Sequence, residues 1–228
     1  MKTYHIFLLR HGMTEANKKG QYIGSTDVPL CEEGEKQLLE LAETFIYPQV
    51  ELFYSSPLQR CVKTLEILYP EANIELAPKL AECNFGDYEG KTFDELKDLE
   101  DYKNWIAGAG QEAPPNGESG TEFQARCCVG FSEIVEQLLR SGNQNAVVMA
   151  HGGTIMAILS TFGYPRRQFY DWMSNNGKGY EVVIMPQMWM NSKVIEVAGI
   201  IPFKAEQDNE IEAYDSMLDE LRSSDIFE

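Results

Sequence analysis

Residues 8–15 read Leu8-Leu9-Arg10-His11-Gly12-Met13-Thr14-Glu15, a stretch in which an apolar strand ends on an arginine, a histidine and a glycine. A second apolar run, Ala146-Val147-Val148-Met149-Ala150, ends in the same way on His151-Gly152-Gly153. Two of the 3 histidines of the chain therefore stand between a strand and a glycine. Ligands of open parallel sheets bind at the carboxyl ends of the strands, so we expect both histidines to meet in one crevice.

The Arg10-His11 pair has two interpretations. An arginine is costly to bury without an anion, and a guanidinium disfavours the cationic form of a neighbouring imidazole. A ring nitrogen of His11 would then be available as a nucleophile near neutral pH. A hydrogen-bonded polar pair at the end of a strand is also consistent with these residues, and the pair alone does not decide between the two.

Arg60 and Glu82 extend the candidate site. Ser56-Pro57 is typical of a helix N-cap followed by proline in the first turn, which places Arg60 near the start of a helix. A helix start and a guanidinium both bind anions, although a solvated helix arginine is the alternative. Glu82 stands among apolar and aromatic residues, and such surroundings can keep a carboxyl group protonated as a general acid.

With these residues in place, the sequence resembles the histidine phosphatase superfamily, the phosphoglycerate-mutase-like enzymes, from about residue 4 to about residue 200. Five blocks carry the resemblance and occur in family order: Arg10-His11-Gly12 with Thr14, Glu15 and Asn17; Ser55-Ser56-Pro57-Leu58-Gln59-Arg60; Glu82 with Phe85-Gly86 and Glu89-Gly90; Gly117-Glu118-Ser119; and His151-Gly152-Gly153. Each block is a weak signal by itself, and the five together are specific.

The resemblance implies a phosphomonoesterase that transfers a phosphoryl group covalently and needs neither a metal nor a cofactor. His11 would attack phosphorus and become a phosphohistidine, while Glu82 would protonate the departing alkoxide and then take a proton from water. Preorganised positive groups would stabilise the phosphoryl oxygens, as this chemistry requires. The phosphate contacts that the resemblance implies are Arg10, Asn17, Gly24, Arg60, His151 and Gly152.

The segment between the third and fourth blocks bears on the branch of the family. Residues 91–105 contain no arginine, whereas phosphoglycerate mutases carry basic residues there that hold the substrate carboxylate. The pattern more resembles the alpha-ribazole phosphatase and broad-specificity phosphatase branch, and it implies a small phosphorylated metabolite as substrate. A cofactor-dependent phosphoglycerate mutase and a non-catalytic phospholigand-binding protein are the alternatives. Aromatic residues either line the substrate side or pack ordinarily: Tyr22, Phe85, Tyr88 and Trp105.

Composition restricts the partners and the compartment. A formal net charge of −17 argues against nucleic acid and anionic membrane surfaces. No apolar run approaches the roughly 18 residues of a membrane helix. A strand that begins near Tyr4 leaves no room for a secretory leader, so we expect a cytoplasmic protein. The 5 cysteines include no Cys-x-x-Cys pair, which favours reduced thiols over a disulfide framework or a zinc site.

Hydrophobic periodicity predicts a three-layer α/β/α domain over residues 1–203, with a mostly parallel central sheet and a loop-rich cap insertion over about residues 80–120. The predicted strands are Tyr4–Leu9, Val50–Ser55, Asn73–Ala77, Asn145–Ala150, Tyr180–Met185 and Lys193–Ile200, the last two as a hairpin. The predicted helices are Glu33–Phe45, Pro57–Leu68, Glu122–Leu139 and Gly153–Phe162. Residues 204–228 are strongly acidic and amphipathic, which predicts a helical extension packed on the domain. The pattern does not specify an oligomeric state.

Overall fold

Residues 2–108 and 110–204 are described by a computed structural model, and they form a seven-stranded mixed sheet. Its spatial order is β3-β2-β4-β1-β6-β7-β5. The strands are β1 (Tyr4–Arg10), β2 (Leu52–Ser55), β3 (Ile74–Leu76), β4 (Asn145–Ala150), β5 (Gly163–Tyr164), β6 (Gly179–Ile184) and β7 (Ile195–Ile201). Only β6 pairs antiparallel with its neighbours, β1 and β7, so the prediction of a mostly parallel sheet is confirmed.

Helices cover both faces of this sheet. They are α1 (Glu15–Lys19), α2 (Glu32–Thr44), α3 (Gln59–Leu68), α4 (Phe93–Leu96), α5 (Glu100–Ala107), α6 (Gly120–Ser141), α7 (Gly152–Phe162) and α8 (Pro186–Ser192). Three short 3₁₀ helices span Pro78–Leu80, Gly86–Tyr88 and Phe169–Trp172. Within the part of the chain described, no helix is both long and apolar enough to cross a membrane.

The alternation of β1 divides the core into two layers. Ile6 and Leu8 point into the cluster that contains the buried residues of α6 and α7. Phe7 and Leu9 point to the opposite face, where the cluster includes Cys61 of α3. Every other side chain of a strand faces the same side of a sheet, so one apolar run supplies both layers. The predicted three-layer α/β/α class is confirmed.

The register between β1 and β4 places the two motif histidines together. Arg10 is paired with Ala150, and the N–H of His11 donates to the carbonyl of Ala150 at 3.1 Å. Because the two strands are parallel, His11 and His151 both leave the sheet at its carboxyl edge. The predicted meeting of the two strand-end histidines is therefore confirmed.

The predicted N-cap at Ser56 is wrong. Helix α3 begins at Gln59 with Leu58 as its N-cap residue. The N–H of Gln59 instead donates to a carboxylate oxygen of Asp27 at 2.8 Å, so a distant loop supplies the capping group. The Ser56 hydroxyl is 2.7 Å from Nε2 of His151, so it contacts one of the two motif histidines instead of capping the helix.

Two other regions differ from their predictions, and a third prediction falls outside the described part of the chain. The cap contains α4 and α5 and is less loop-rich than predicted; Tyr88, Leu96 and Tyr102 form its own small core. Strands β6 and β7 pair antiparallel as predicted, but α8 separates them along the chain, so they are not a simple hairpin. The acidic helix predicted for 204–228 lies outside the described residues except for its first position.

Candidate active site

His11 is a buried, neutral imidazole whose orientation is fixed by one hydrogen bond. Its Nδ1 is 2.6 Å from the carbonyl oxygen of Gly12. A carbonyl only accepts, so Nδ1 carries the proton and Nε2 keeps a lone pair for attack on an electrophile. Burial first, and the charge of Arg60 second, lower the pKa of His11 to about 3. Near neutral pH the ring is therefore uncharged, which is the state that a nucleophilic imidazole requires.

His151 lies edge-on to His11, with ring centroids 5.1 Å apart. Its Nδ1 accepts from Nε of Arg60 at 3.3 Å, so its proton is on Nε2, which donates to the Ser56 hydroxyl at 2.7 Å. Burial first and the neighbouring His11 second lower the pKa of His151 well below its usual value. Its predicted contact with phosphate would require the Nε2–H group to change its hydrogen-bond acceptor from the Ser56 hydroxyl to a phosphate oxygen.

Two arginines surround the histidine pair. Nη1 of Arg10 donates to the carbonyl of Ser174 at 2.5 Å, and its Nε is buried without a hydrogen-bond partner in the described structure. Arg60 is 1% exposed and donates to the carbonyl oxygens of Gly24 at 2.7 Å and Thr26 at 3.0 Å. Burial lowers the pKa of both arginines, the expected result of desolvating a cation. A bound anion would relieve that cost despite the high net negative charge of the chain, because the local charges set the field within a cleft.

Glu82 approaches the same site from the segment after the first 3₁₀ helix. Its carboxylate accepts from the N–H of Gly153 at 2.9 Å and from that of Cys83 at 3.0 Å. Burial raises its pKa, and the two N–H donors oppose that rise. A Cβ on Gly153 would lie 2.5 Å from Oε1, so this glycine is needed for the close approach. The raised pKa suits a general acid.

The predicted accessory contacts are placed with different partners. Oδ1 of Asn17 accepts from the N–H of Thr14 in a capping box at the start of α1. The N–H of Gly24 donates to Glu89, and its carbonyl accepts from Arg60, so the backbone of Gly24 is occupied by protein groups. Gly152 lies against Arg10, whose Cζ would be 3.5 Å from a Cβ at that position. Their contacts with phosphate stay predictions.

Sequence reasoning missed several supporting groups. Glu89 accepts from the N–H groups of Gly24, Ser25, Thr26 and Phe85, and so holds the loop that carries the Arg60 acceptors. Nδ2 of Asn176 donates to the His11 carbonyl at 2.9 Å. Glu89 belongs to the third of the five blocks, but nothing in its local pattern indicates that its carboxylate organises a loop. Asn176 stands in no motif.

An apolar cleft of about 490 Å³ opens beside Glu82 and Gly153. Of the four predicted aromatic residues, Tyr22, Phe85 and Trp105 line it. Tyr88 does not, because its ring is buried in the small core of the cap. The other lining residues are Glu82, Cys83, Ile106, Gly110, Gly120, Phe123, Gly153, Met156, Phe169 and Tyr170. Among these described lining residues none is a lysine or an arginine.

Burial of a neutral His11 predicts an acid-sensitive fold. Between pH 6.5 and about 3 the unfolded chain binds a proton at this position that the folded chain does not, so stability falls as the pH falls below 6.5. We expect the plot of unfolding free energy against pH to be less steep in His11→Gln, by up to about 1.4 kcal/mol per pH unit. Urea unfolding at several pH values measures both slopes. Glu82 titrates with the opposite sign, so the comparison with wild type isolates the histidine, and equal slopes would contradict the neutral state.

Comparisons with known proteins agree with this geometry. A family model described as the histidine phosphatase superfamily (branch 1) matches residues 6–194. A Hydrogenobacter thermophilus protein provisionally named phosphoserine phosphatase 2 is 34% identical over 160 residues, which are 68% of this chain and 76% of that protein. The adenosylcobalamin/alpha-ribazole phosphatase of Escherichia coli is 28% identical over 182 residues, 75% of this chain and 86% of that one.

Solved structures of phosphatases have a similar fold. The alpha-ribazole phosphatase of Shigella flexneri superimposes with a TM-score of 0.71 at 25% identity, covering 88% of this chain and 98% of that chain. Phosphoglycerate mutases are also among the similar proteins and structures.

Proposed function

Because this chain belongs to the histidine phosphatase superfamily, we propose that it is a metal-independent phosphomonoesterase that works through a phosphohistidine at His11. The observation that carries the proposal is the state of His11: a buried, neutral ring with its proton on Nδ1, beside Arg60 and within the same site as Glu82. This set contains a nucleophile, anion-binding groups and an acid, which are the parts that phosphoryl transfer requires.

The reaction follows in two displacements. Nε2 of His11 attacks phosphorus while the bond between phosphorus and the ester oxygen breaks, and protonated Glu82 gives its proton to the departing alkoxide. Ionised Glu82 then takes a proton from water, whose oxygen attacks phosphorus. The phosphorus–nitrogen bond breaks, and inorganic phosphate leaves with His11 and Glu82 restored. Arg10 and Arg60 compensate the charge on the phosphoryl oxygens in both steps.

The apolar cleft supports a leaving group that is flat and uncharged. Phosphoserine would bring an ammonium and a carboxylate, and a phosphoglycerate would bring a carboxylate, to a surface whose one acidic or basic residue, among the lining residues that the structure describes, is Glu82. Burying such charges unpaired is expensive. A phosphorylated nucleoside-like compound such as alpha-ribazole phosphate fits these walls better, so we propose this class over the mutase substrate.

Phosphate release from a panel of monoesters tests the proposal. The panel should include alpha-ribazole phosphate, phosphoserine, a phosphoglycerate and para-nitrophenyl phosphate, each with a chelator present. Metal-independent release with preference for the aromatic esters is expected. Isomerisation of the phosphoglycerate without release would favour a mutase, and tight binding without turnover would favour a phospholigand-binding protein.

Trp105→Ala should weaken the use of aromatic esters. The indole ring packs edge-on against Tyr22 and Phe85 in the wall of the cleft. We expect kcat/KM for alpha-ribazole phosphate to fall about tenfold, equivalent to about 1.4 kcal/mol, with a change below about twofold for methyl phosphate. Phe93→Ala, in the same cap but outside the cleft wall, is the matched control. A similar loss for both esters would mean that Trp105 supports the fold of the cap rather than the leaving group.

A further inference from the structure

Arg126 of α6 uses all five N–H donors of its guanidinium. Nε and Nη2 donate to the carboxylate of Glu118 at 2.9 and 2.7 Å, which makes a two-point ion pair. Nη1 donates to the carbonyl oxygens of Lys79 at 2.8 Å and Ala81 at 2.9 Å. Nη2 also donates to the carbonyl of Glu82 at 3.4 Å. Three of the four backbone carbonyls from 79 to 82 therefore converge on one side chain.

Glu118 ties the far end of the same segment. Its N–H donates to the carbonyl of Asn84 at 2.8 Å, and its Oε2 accepts from the N–H of Asn84 at 3.4 Å. The rigid, planar fork of arginine can address a carboxylate and several carbonyls together, which the single ammonium of lysine cannot. Arg126 and Glu118 thus fix the backbone on both sides of Glu82.

The carboxyl group of Glu82 is held from the opposite direction by the N–H of Gly153 at the start of α7. The backbone of Glu82 is bound to α6 through Arg126, and the carboxyl group of Glu82 faces the candidate site. Small displacements of a reacting group cost large factors in rate, because proton transfer needs hydrogen-bond distance to the leaving oxygen.

We propose that Arg126, anchored by Glu118, is a positioning residue for the general acid Glu82. The proposal rests on the proposed phosphomonoesterase function. Arg126 acts through the backbone of residues 79–82 and touches no reacting atom. An ion pair that only stabilised the fold would change the amount of active protein, and the rates for all esters would then fall by one common factor.

The test compares two esters that differ in their need for an acid. Benzyl phosphate has a poor alkoxide leaving group, whereas para-nitrophenyl phosphate leaves readily without a proton, and both carry an aromatic ring. In Arg126→Met we expect kcat/KM for benzyl phosphate to fall about 10- to 100-fold and that for para-nitrophenyl phosphate less than about threefold. Arg140→Met is the matched control, because Arg140 is an exposed residue of the same helix whose guanidinium bonds to Glu136 of that helix.

Two further variants test whether Arg126 acts through Glu82: Arg126→Lys, and the removal of Arg126 in a Glu82→Gln background. If Arg126→Met does not fold, Arg126→Lys keeps the charge beside Glu118 but loses the fork onto the carbonyls, and the same selective loss is expected. In a Glu82→Gln background, removing Arg126 should change either rate by less than about twofold, since the acid it positions is already absent. Equal losses for both esters, no loss for either, or a full further loss in the double variant would overturn the proposal. A wild-type protein that forms no phosphoenzyme would instead refute the proposed function itself.

Discussion

His11→Ala should abolish phosphate release, with a fall in kcat of at least about 10,000-fold. The reason is geometric: Nδ1 of His11 is committed to the carbonyl of Gly12 at 2.6 Å, which leaves the lone pair of its Nε2 for attack on phosphorus. His151 cannot replace it, since its Nδ1 accepts from Arg60 and its Nε2 carries the proton. Arg10 and Arg60 would still bind phosphate, so substrate binding should survive the loss of turnover.

The phosphoenzyme is the direct measurement. Wild-type protein that is mixed with substrate and quenched at high pH should carry a phosphoryl group that acid removes, as expected for a phosphorus–nitrogen bond. His11→Ala should carry none, while its circular dichroism spectrum stays that of wild type. His5→Ala is the matched control, because His5 lies on β1, the strand that leads to His11, and pairs with Glu181 away from the site. Labelling that persists in His11→Ala would assign the nucleophile to another residue.

The parts of the site that follow from strand ends could be predicted from the sequence. His11 and His151 meet because two parallel strands end at the same edge, and their short continuous apolar runs identify those strands in the sequence. The role of Ser56 could not be predicted, because the local pattern of Ser-Pro indicates a cap, whereas the capping group comes from Asp27 across a loop. At this helix start the tertiary contact with Asp27 replaces the local cap that the sequence pattern predicts.

The contacts of Arg126 and Tyr88 could not be predicted from the sequence either. Arg126 is one arginine within an amphipathic helix, and nothing in its neighbours along the chain distinguishes it from the exposed Arg140. Its five contacts depend on where residues 79–82 pass over α6, which only the folded chain specifies. Tyr88 stands in a motif among cleft residues, yet its ring turns into the cap core with Leu96 and Tyr102. Proximity along the chain decides neither case.

Glu82→Gln should slow the hydrolysis of an ester more strongly, the poorer the leaving group of that ester. The carboxyl group is buried and its pKa is raised, so its protonated form persists to higher pH than that of an exposed glutamate and can give a proton to an alkoxide. We expect kcat/KM for benzyl phosphate to fall about 100- to 10,000-fold, and that for para-nitrophenyl phosphate less than about tenfold. Glu133→Gln, which neutralises an exposed glutamate paired with Lys79, is the control.

The pH dependence provides an independent check on the same residue. In wild type, kcat/KM for benzyl phosphate should decline as the pH rises through the raised pKa of Glu82, because the acid form is then lost. That decline should be absent from Glu82→Gln, whose residual activity has no proton to lose at this position. A decline of the same shape in both proteins would assign it to another group. The acid would then have to be sought elsewhere along the cleft, where Glu82 is the one carboxyl group among the described lining residues.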